Sequence, residues 1–363
     1  MNGQEKFLAA FEQGGTPEFA RMMPYGLIVL RDFWDRVIGF PWYEQFDLDI
    51  NTFLRWRKKY SEAFPQCLME IYPGEPRGTT SKVFGNYMEW TYPDGRVHRI
   101  NKPFVGGDFH YKVPEKIPTL EQVEAHFTQY IMTPEKFLSA GYADQPLAAK
   151  KAFGQERVMK GHLSSTAWRL LSFLSPEHFF MLLHDNREFI KKALELSWLQ
   201  TEWEIERVQM TGAEVIWLEE CMADMISPAD YRELFVPYLQ RMTEILRSKN
   251  IRSIHYFCGK PDQHLEDIMK IGSDAVSFEE GKKNFGNDIM SLAEYIDGRK
   301  VLLGNLDAYS VLEIGNDDVL RQAMEYQKQA GKRNKNRFVY SIGSPPTPDT
   351  TPERLYNYFA RDF

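Results

Sequence analysis

The chain has 363 residues, enough for one large domain or two of ordinary size. Apolar residues make up 43% and charged residues 26%, a soluble globular balance, and no apolar run is long enough to span a bilayer. The formal net charge of −7 comes from interspersed acids and bases, which argues against nucleic acid as the main partner. Three widely spaced cysteines and an N-terminus without signal-peptide character favour a cytoplasmic protein without a disulfide scaffold.

The first third of the chain predicts a strand, a helix, a second strand and then a hairpin. The apolar run at residues 25–30 predicts the first strand, residues 50–64 a helix, and residues 67–72 the second strand. Residues 73–120 are rich in Gly, Pro, Thr and aromatics. Within them, alternation at residues 87–92 before a Pro-Asp-Gly turn predicts a β-hairpin excursion.

From residue 157 onward, short apolar runs alternate with helical patterns. Most of these runs do not alternate polar and apolar residues, which is typical of parallel strands that are buried on both faces. The eight predicted strands centre on Leu27, Leu68, Val158, Val215, Ile254, Val276, Leu302 and Val339. We therefore predict an α/β fold, a (β/α)8 TIM barrel, as one domain over residues 1–363. A doubly wound sheet is the alternative, but its glycine-rich dinucleotide fingerprint is missing.

Polar residues follow most of the later strands. In a (β/α)8 barrel the active site lies at the carboxyl ends of the strands. Strand ends next to solvated loops carry polar residues in any case, but a histidine, a cysteine and four glutamates form a chemically selective set. We predict that this rim is the active site, with the candidates Glu219, Glu220, His255, Cys258, Glu279, Glu280, Asn305, Asp307 and Ser344.

The stretch from His255 to Gly259 carries the most specific candidates. His255 and Cys258 are zinc-ligand types, and the carboxylate of Glu220 could complete the ligand set. Side chains alternate along a strand, however, so Tyr256 rather than His255 is in step with Cys258 unless the strand ends early or bulges. The structural alternatives are a core histidine and a buried thiol that packs as a small hydrophobe.

The remaining candidates divide between chemistry and scaffold. Cys221 is as compatible with the core as with a metal site, and His162 is interpreted as structural. Asp307 is either catalytic or the cap of the next helix. We expect catalytic roles for Glu220 and Asp307, and substrate contacts from Tyr256, Asn305, Glu279 and Ser344.

Besides Ser175–Leu194, which resembles a helix pair of a known family, five stretches carry the resemblance: Gly212–Ile216, Ile226–Tyr231, His255–Gly259, Gly304–Asp307 and Pro346–Pro352. They resemble the patterns G-A-D-hydrophobic, I-S-P-E-D-Y, H-x-C-G, G-N-x-D and a proline-rich turn of the uroporphyrinogen decarboxylase superfamily. The resemblance runs from about Val158 to the end of the chain. In the N-terminal third it is weaker and rests on Tyr87–Trp90, which resembles the family's D-E-W-G hairpin.

The superfamily has two branches with different chemistry. Decarboxylases bind an acidic tetrapyrrole without metal and use an N-terminal R-Q-A-G-R-Y arginine motif, which the comparable region Leu27 to Arg36 lacks. Methyltransferases of the other branch work with a corrinoid and a zinc ion held by His and Cys, which His255, Cys258 and Glu220 resemble. The His-x-x-Cys spacing is one residue longer than in the family, and Ser344 takes the place of its last zinc cysteine.

The resemblance implies a zinc-dependent methyltransferase that moves a methyl group between a small-molecule donor or acceptor and a corrinoid protein. Aromatic residues make up 14% of the chain, which suits an aromatic methyl ether as donor. A non-catalytic ligand-binding barrel is one alternative, and a homodimer is left open. The other alternative is a decarboxylase of a tetrapyrrole or other carboxylate, which needs a cationic pocket from Arg31, Arg99, Lys102 and Arg169.

Overall fold

A computed structural model of the chain describes residues 1–24, 37–103, 115–281 and 286–360. The predicted first strand at residues 25–30 and the region compared with the arginine motif, Leu27 to Arg36, lie outside these described residues. The first strand that the structure describes comes earlier, at Ala20–Arg21. It has only two residues, too few to form a recognisable sequence pattern.

Within the described residues, eight parallel strands form the central sheet, which confirms the predicted (β/α)8 barrel. In sheet order they are β1, β11, β10, β9, β8, β7, β6 and β2. The N–H of Cys67 donates to the carbonyl of Arg21 at 2.9 Å and so joins the two edge strands. The strands in chain order are β1 (Ala20–Arg21), β2 (Leu68–Glu70), β3 (Thr80–Phe84), β4 (Tyr87–Thr91), β5 (Val97–Asn101), β6 (Val158–Ser164), β7 (Val215–Glu220), β8 (Arg252–Phe257), β9 (Ala275–Phe278), β10 (Val301–Leu303) and β11 (Phe338–Tyr340).

Helices follow the barrel strands and bury their apolar faces against the outside of the sheet. Within the described ranges none of them is long and apolar enough to cross a membrane. The α-helices are α1 (Gly3–Ala9), α2 (Ile50–Ala63), α3 (Leu120–Thr128), α4 (Pro134–Ala140), α5 (Asp144–Phe153), α6 (Thr166–Leu174), α7 (Pro176–Asp185), α8 (Arg187–Met210), α9 (Pro228–Asp230), α10 (Val236–Ser248), α11 (Leu265–Lys270), α12 (Ile289–Ile296), α13 (Asp317–Arg333) and α14 (Pro352–Ala360). Short 3-10 segments occur at Trp42–Phe46 and Ala223–Met225, and π-helical turns at Tyr231–Phe235 and Ala308–Glu313.

The predicted hairpin is present as β4 and β5, which pair in antiparallel register. A third strand, β3, pairs with the other edge of β4 and makes the excursion a three-stranded sheet. The sequence did not predict β3 because all but the last of its residues are exposed, so neither face carries an apolar stripe.

Alternation along the barrel strands decides which side chains reach the interior. In β8, Ile254 and Tyr256 pack inside the barrel, whereas Phe257 packs outward against the helices. In β7 the interior residues are Val215 and Trp217, so the same parity points Glu219 inward and Glu220 outward. The interior cluster from the strands comprises Ala20, Leu68, Val158, Val215, Trp217, Ile254, Tyr256, Ala275, Val301, Leu303 and Val339.

A buried ion pair lies inside the barrel next to this apolar cluster. Lys160 of β6 donates to Glu70 of β2 at 2.7 Å, and the two side chains are 2% and 1% exposed. The ammonium group also donates to the carbonyl of Pro24 and lies 5.5 Å from the ring of Trp217. The interior therefore holds a charge pair that has no access to solvent.

Candidate functional site

Two cysteines stand side by side at the carboxyl ends of β7 and β8. The register pairs Glu220 with Phe257, and the N–H of Cys258 donates to the carbonyl of Glu220 at 2.9 Å, so the ladder extends to Cys221 and Cys258. Both cysteines are partly exposed, and neither forms a disulfide. The interaction with the neighbouring Cys258 raises the pKa of the Cys221 thiol most, and burial raises it further. The barrel mouth therefore presents two adjacent thiols.

The turn after Cys258 depends on Gly259. This residue has a φ of +110°, and a Cβ at this position would lie 2.3 Å from the carboxyl carbon of Asp224. Asp224 belongs to the loop after β7 and accepts a hydrogen bond from the N–H of Lys260 at 3.2 Å. Only glycine allows this close approach, which fixes the two cysteine-bearing strand ends against each other.

Carboxylates flank the thiol pair on both sides. The sulfur of Cys221 lies 3.4 Å from Glu219 Oε1, and the sulfur of Cys258 lies 3.5 Å from Glu279 Oε2. Glu219 Oε2 is in turn hydrogen bonded to Nε2 of His162 at 2.8 Å. Hydrogen-bond distances link His162 to Glu219, Glu219 to Cys221 and Cys258 to Glu279, and the strand register places the two cysteines next to each other. We call this series across the barrel mouth the mouth row: His162, Glu219, Cys221, Cys258 and Glu279.

The donor types of the mouth row are those that zinc prefers. Two ligands of one tetrahedral zinc ion, a sulfur at about 2.3 Å and an oxygen at about 2.0 Å, lie roughly 3.5 Å apart. The contact between Cys258 and Glu279, at 3.5 Å, has this spacing. As the side chains stand, however, the described part of the chain contains no group of three His, Cys, Asp or Glu residues that could hold a metal. The row fits zinc in chemistry and in pairwise spacing, and a three-ligand site would require side-chain rotation.

The predicted ligands His255 and Glu220 form a separate cluster on the outer face of the barrel. His255 Nε2 lies 2.9 Å from Glu220 Oε2, and the hydroxyl of Tyr231 donates to the same oxygen at 2.8 Å. All three side chains are completely buried, and burial raises the pKa of Tyr231 well above its usual value. Because β8 stays regular through Phe257, His255 points away from the mouth, and the predicted ligand set is not brought together with Cys258.

Tyr231→Phe is expected to destabilise the protein by roughly 1.5–3 kcal/mol, because a buried carboxyl group loses a hydrogen bond without gaining water. Chemical denaturation of the variant checks this value. Tyr238→Phe is the control, since its hydroxyl bonds the exposed Glu195, and its effect should stay within about 0.5 kcal/mol. Equal stability of the two variants would contradict a structural role for the outer cluster.

Two predicted substrate contacts lie below or beside the mouth. Tyr256 is 3% exposed, stacks on Trp217 at 4.9 Å, and donates to the carbonyl of Gly343 at 3.2 Å. Burial raises the pKa of its phenol well above the usual value, and the nearby Cys258 raises it further. Ser344 donates to Glu280 Oε1 at 2.6 Å, and both are buried. Tyr256 therefore forms part of an aromatic floor beneath the thiols.

In the Gly-Asn-Leu-Asp loop after β10, the polar side chains mainly bond backbone groups of neighbouring segments. The side-chain amide of Asn305 donates to the carbonyls of Asn287 at 2.7 Å and Glu279 at 3.4 Å. Asp307 Oδ1 accepts from the N–H groups of Tyr309 and Ser310, so it caps the following helical segment, the structural alternative for this residue. Both residues line a cavity of about 320 Å³ beside the ends of β9 and β10.

His162 is the mouth residue that the sequence analysis assigned to the scaffold. It faces the interior of β6, in parity with Val158 and Lys160, and makes its hydrogen bond to Glu219 of the next strand. The side chains of His162 and Glu219 are each 19% exposed, so both reach the open mouth. Counting alternate residues along β6 and β7 would have placed both of them on the inner face.

Fold and site together define the class of protein. A parallel (β/α)8 barrel with thiols, carboxylates and a histidine at the carboxyl ends of its strands has the architecture of a barrel enzyme. The chain belongs to the uroporphyrinogen decarboxylase (URO-D) family, whose model matches residues 149–360. This membership confirms the resemblance that the sequence motifs carry.

Individual relatives are distant. Uroporphyrinogen decarboxylase of Chlorobium phaeovibrioides is 26% identical over 236 residues, which cover 62% of this chain and 65% of that protein. The enzyme of Coxiella burnetii is 28% identical over 147 residues, 40% of this chain and 38% of its own. The chain therefore spans just under two thirds of the length of the Chlorobium relative. A solved methyltransferase from Methanosarcina mazei shares the fold, with a TM-score of 0.66, 16% identity, and coverage of 99% of this chain and 98% of its own.

Proposed function

We propose that this protein is a zinc-dependent methyltransferase that moves a methyl group between a small substrate and a corrinoid protein. The observation that carries the proposal is the neighbouring position of Cys221 and Cys258 at the ends of paired strands, with Glu279 beside Cys258, at the catalytic end of the barrel. A paired, partly exposed thiol site is an arrangement for a soft metal, and tetrapyrrole decarboxylation has no use for it.

Zinc would be held by Cys221, Cys258 and Glu279, with an open position for substrate. This set replaces the predicted one, because Cys258 packs against the inner cluster and follows the strand position next to Cys221, whereas His255 bonds Glu220 on the outer face. When bound, zinc acts as a Lewis acid that polarises the atom carrying the methyl group. The protein itself supplies the thiols, the rigid Gly259 turn that aligns them, and the aromatic floor of Tyr256 and Trp217.

A methyltransferase of Methanosarcina mazei has the same fold over nearly the whole chain, which supports this branch of the family. The corrinoid partner is part of the proposal because a methyl group released at the mouth needs a strong nucleophile, and a reduced corrinoid is one. The aromatic content of the chain suits a flat or apolar methyl donor such as an aromatic methyl ether.

Decarboxylation is the second candidate, favoured by the family match and by the relatives named uroporphyrinogen decarboxylase. That reaction needs cationic groups for the substrate carboxylates. Of the predicted candidates, Arg99 pairs with Glu89 on the exposed three-stranded sheet, and Arg169 pairs with Glu204 between helices. Arg31 lies outside the described residues. The described arginines thus give this candidate little support.

Purified protein incubated with cob(I)alamin and a panel of methyl donors tests the proposal. We expect methylcobalamin to form, followed by its absorbance, and one zinc ion per chain by elemental analysis. A parallel incubation with uroporphyrinogen should release no carbon dioxide. The proposal fails if the protein binds no stoichiometric divalent metal and forms no methylcobalamin with any donor.

A further inference from the structure

A histidine–glutamate pair adjoins the thiol pair at the barrel mouth. Nε2 of His162 lies 2.8 Å from Glu219 Oε2, and Glu219 Oε1 faces the sulfur of Cys221 at 3.4 Å. Within the described part of the chain, the other ring nitrogen, Nδ1, makes no hydrogen bond, while the side chain is 19% exposed. One ring nitrogen is therefore oriented by a carboxylate, and the other is available to a ligand in the mouth.

This geometry is that of a general acid. A carboxylate that accepts from one imidazole nitrogen fixes the ring orientation, so that the second nitrogen faces a ligand and can deliver a proton to it. The pair does not depend on mobile surface groups, because His162 and Glu219 extend from adjacent barrel strands, β6 and β7. The neighbouring outward positions are filled by core side chains such as Leu163 and Leu218, which hold both strands in place.

We propose that His162 donates a proton to the leaving oxygen during methyl transfer, and that the methyl donor is therefore an O-methyl compound. This inference rests on the proposed methyltransferase function. In the step, the reduced corrinoid supplies an electron pair to the methyl carbon while the carbon–oxygen bond breaks and leaves its electron pair on oxygen. The His162 imidazolium gives its proton to that oxygen and becomes neutral, so the donor leaves as an alcohol or phenol.

The proton donor distinguishes substrate classes. An alkoxide or phenoxide is a strong base and a poor leaving group, so protonation lowers its barrier. A methylated ammonium or sulfonium compound leaves as a neutral amine or thioether and requires no proton. A proton donor such as His162 next to the thiols therefore favours methyl ethers or methanol-like donors and gives no advantage with cationic donors.

The test compares wild type, His162→Gln and His184→Gln with three donors. The donors are methoxybenzene, 4-nitroanisole, whose phenol is far more acidic, and N,N,N-trimethylanilinium, whose leaving group is a neutral amine. Methylcobalamin formation and zinc content are measured for each protein. His184 is exposed on α7 and bonds its neighbour Asp185, so its variant controls for loss of a histidine.

We expect His162→Gln to slow transfer from methoxybenzene by about 100-fold and from 4-nitroanisole by less than about 10-fold, with zinc retained. His184→Gln should behave as wild type. Equal losses with both ethers, loss of zinc from His162→Gln, or a wild-type preference for trimethylanilinium would each overturn the inference. Wild type that forms no methylcobalamin from any donor would overturn the methyltransferase function itself. The wild-type measurements therefore test the function, and the comparison with the variants tests the role of His162.

Discussion

Replacing either mouth thiol, as Cys221→Ala or Cys258→Ala, is expected to remove the bound zinc and lower methyl transfer on the order of 10³-fold. Each thiolate is one of the three proposed protein ligands of the zinc ion. Because a Lewis acid lowers the activation free energy of methyl transfer by several kcal/mol, its loss corresponds to a rate change of this size. The measurements are zinc per chain by elemental analysis and the rate of methylcobalamin formation.

Two controls make the result specific to the mouth. Cys67→Ala removes the third thiol, which is buried and belongs to the interior cluster away from the row, and should keep both zinc and activity. His255→Gln should also keep its zinc, because this histidine bonds Glu220 on the outer face. Zinc loss in His255→Gln with zinc retained in Cys221→Ala would restore the ligand set expected from sequence and contradict the revised one.

Lys160→Met is expected to destabilise the protein by about 3–5 kcal/mol. The substitution leaves the carboxylate of Glu70 without its ammonium partner in a site where both side chains are almost completely buried. A carboxylate that has lost such a partner is costly because water cannot replace it. Urea denaturation, with the free energy of unfolding extrapolated to zero urea, gives the value.

The matched control is Lys59→Met, whose partner Glu62 is 3.6 Å away and about half exposed, and its effect should stay below about 1 kcal/mol. The double variant Lys160→Met with Glu70→Met should be more stable than Lys160→Met alone, since both charges of the ion pair are then removed together. A double variant less stable than the single one would contradict a dominant cost from the loss of the ammonium partner.

The barrel could be predicted because its signals are local. Buried strands such as Val301–Leu303 read as short apolar runs, and helix starts carry cap residues such as Asp288 before Ile289–Ile296. The two-residue β1 and the exposed β3 carry no such pattern, and both were missed. Local periodicity thus identified seven of the eight barrel strands, and their number indicated the closed architecture.

The site was harder to predict because it depends on contacts between strands. Sequence proximity grouped His255 with Cys258, but strand parity separates them, and the register of the neighbouring strands places Cys258 beside Cys221, 37 residues earlier. The bond between His162 and Glu219 could not be predicted from nearby residues, because Glu219 lies on the next barrel strand. Because side chains alternate along a strand, His255 and Cys258 face opposite sides of β8, and this fact alone could have reassigned the ligands from the sequence.

X-ray absorption at the zinc edge of the wild-type protein shows whether the two mouth thiols bind zinc. We expect one zinc per chain with two sulfur ligands at about 2.3 Å and the remaining ligands nitrogen or oxygen at about 2.0–2.1 Å. The two sulfurs would be those of Cys221 and Cys258. Purified protein that takes up no stoichiometric zinc, or a zinc shell without sulfur, would contradict the account.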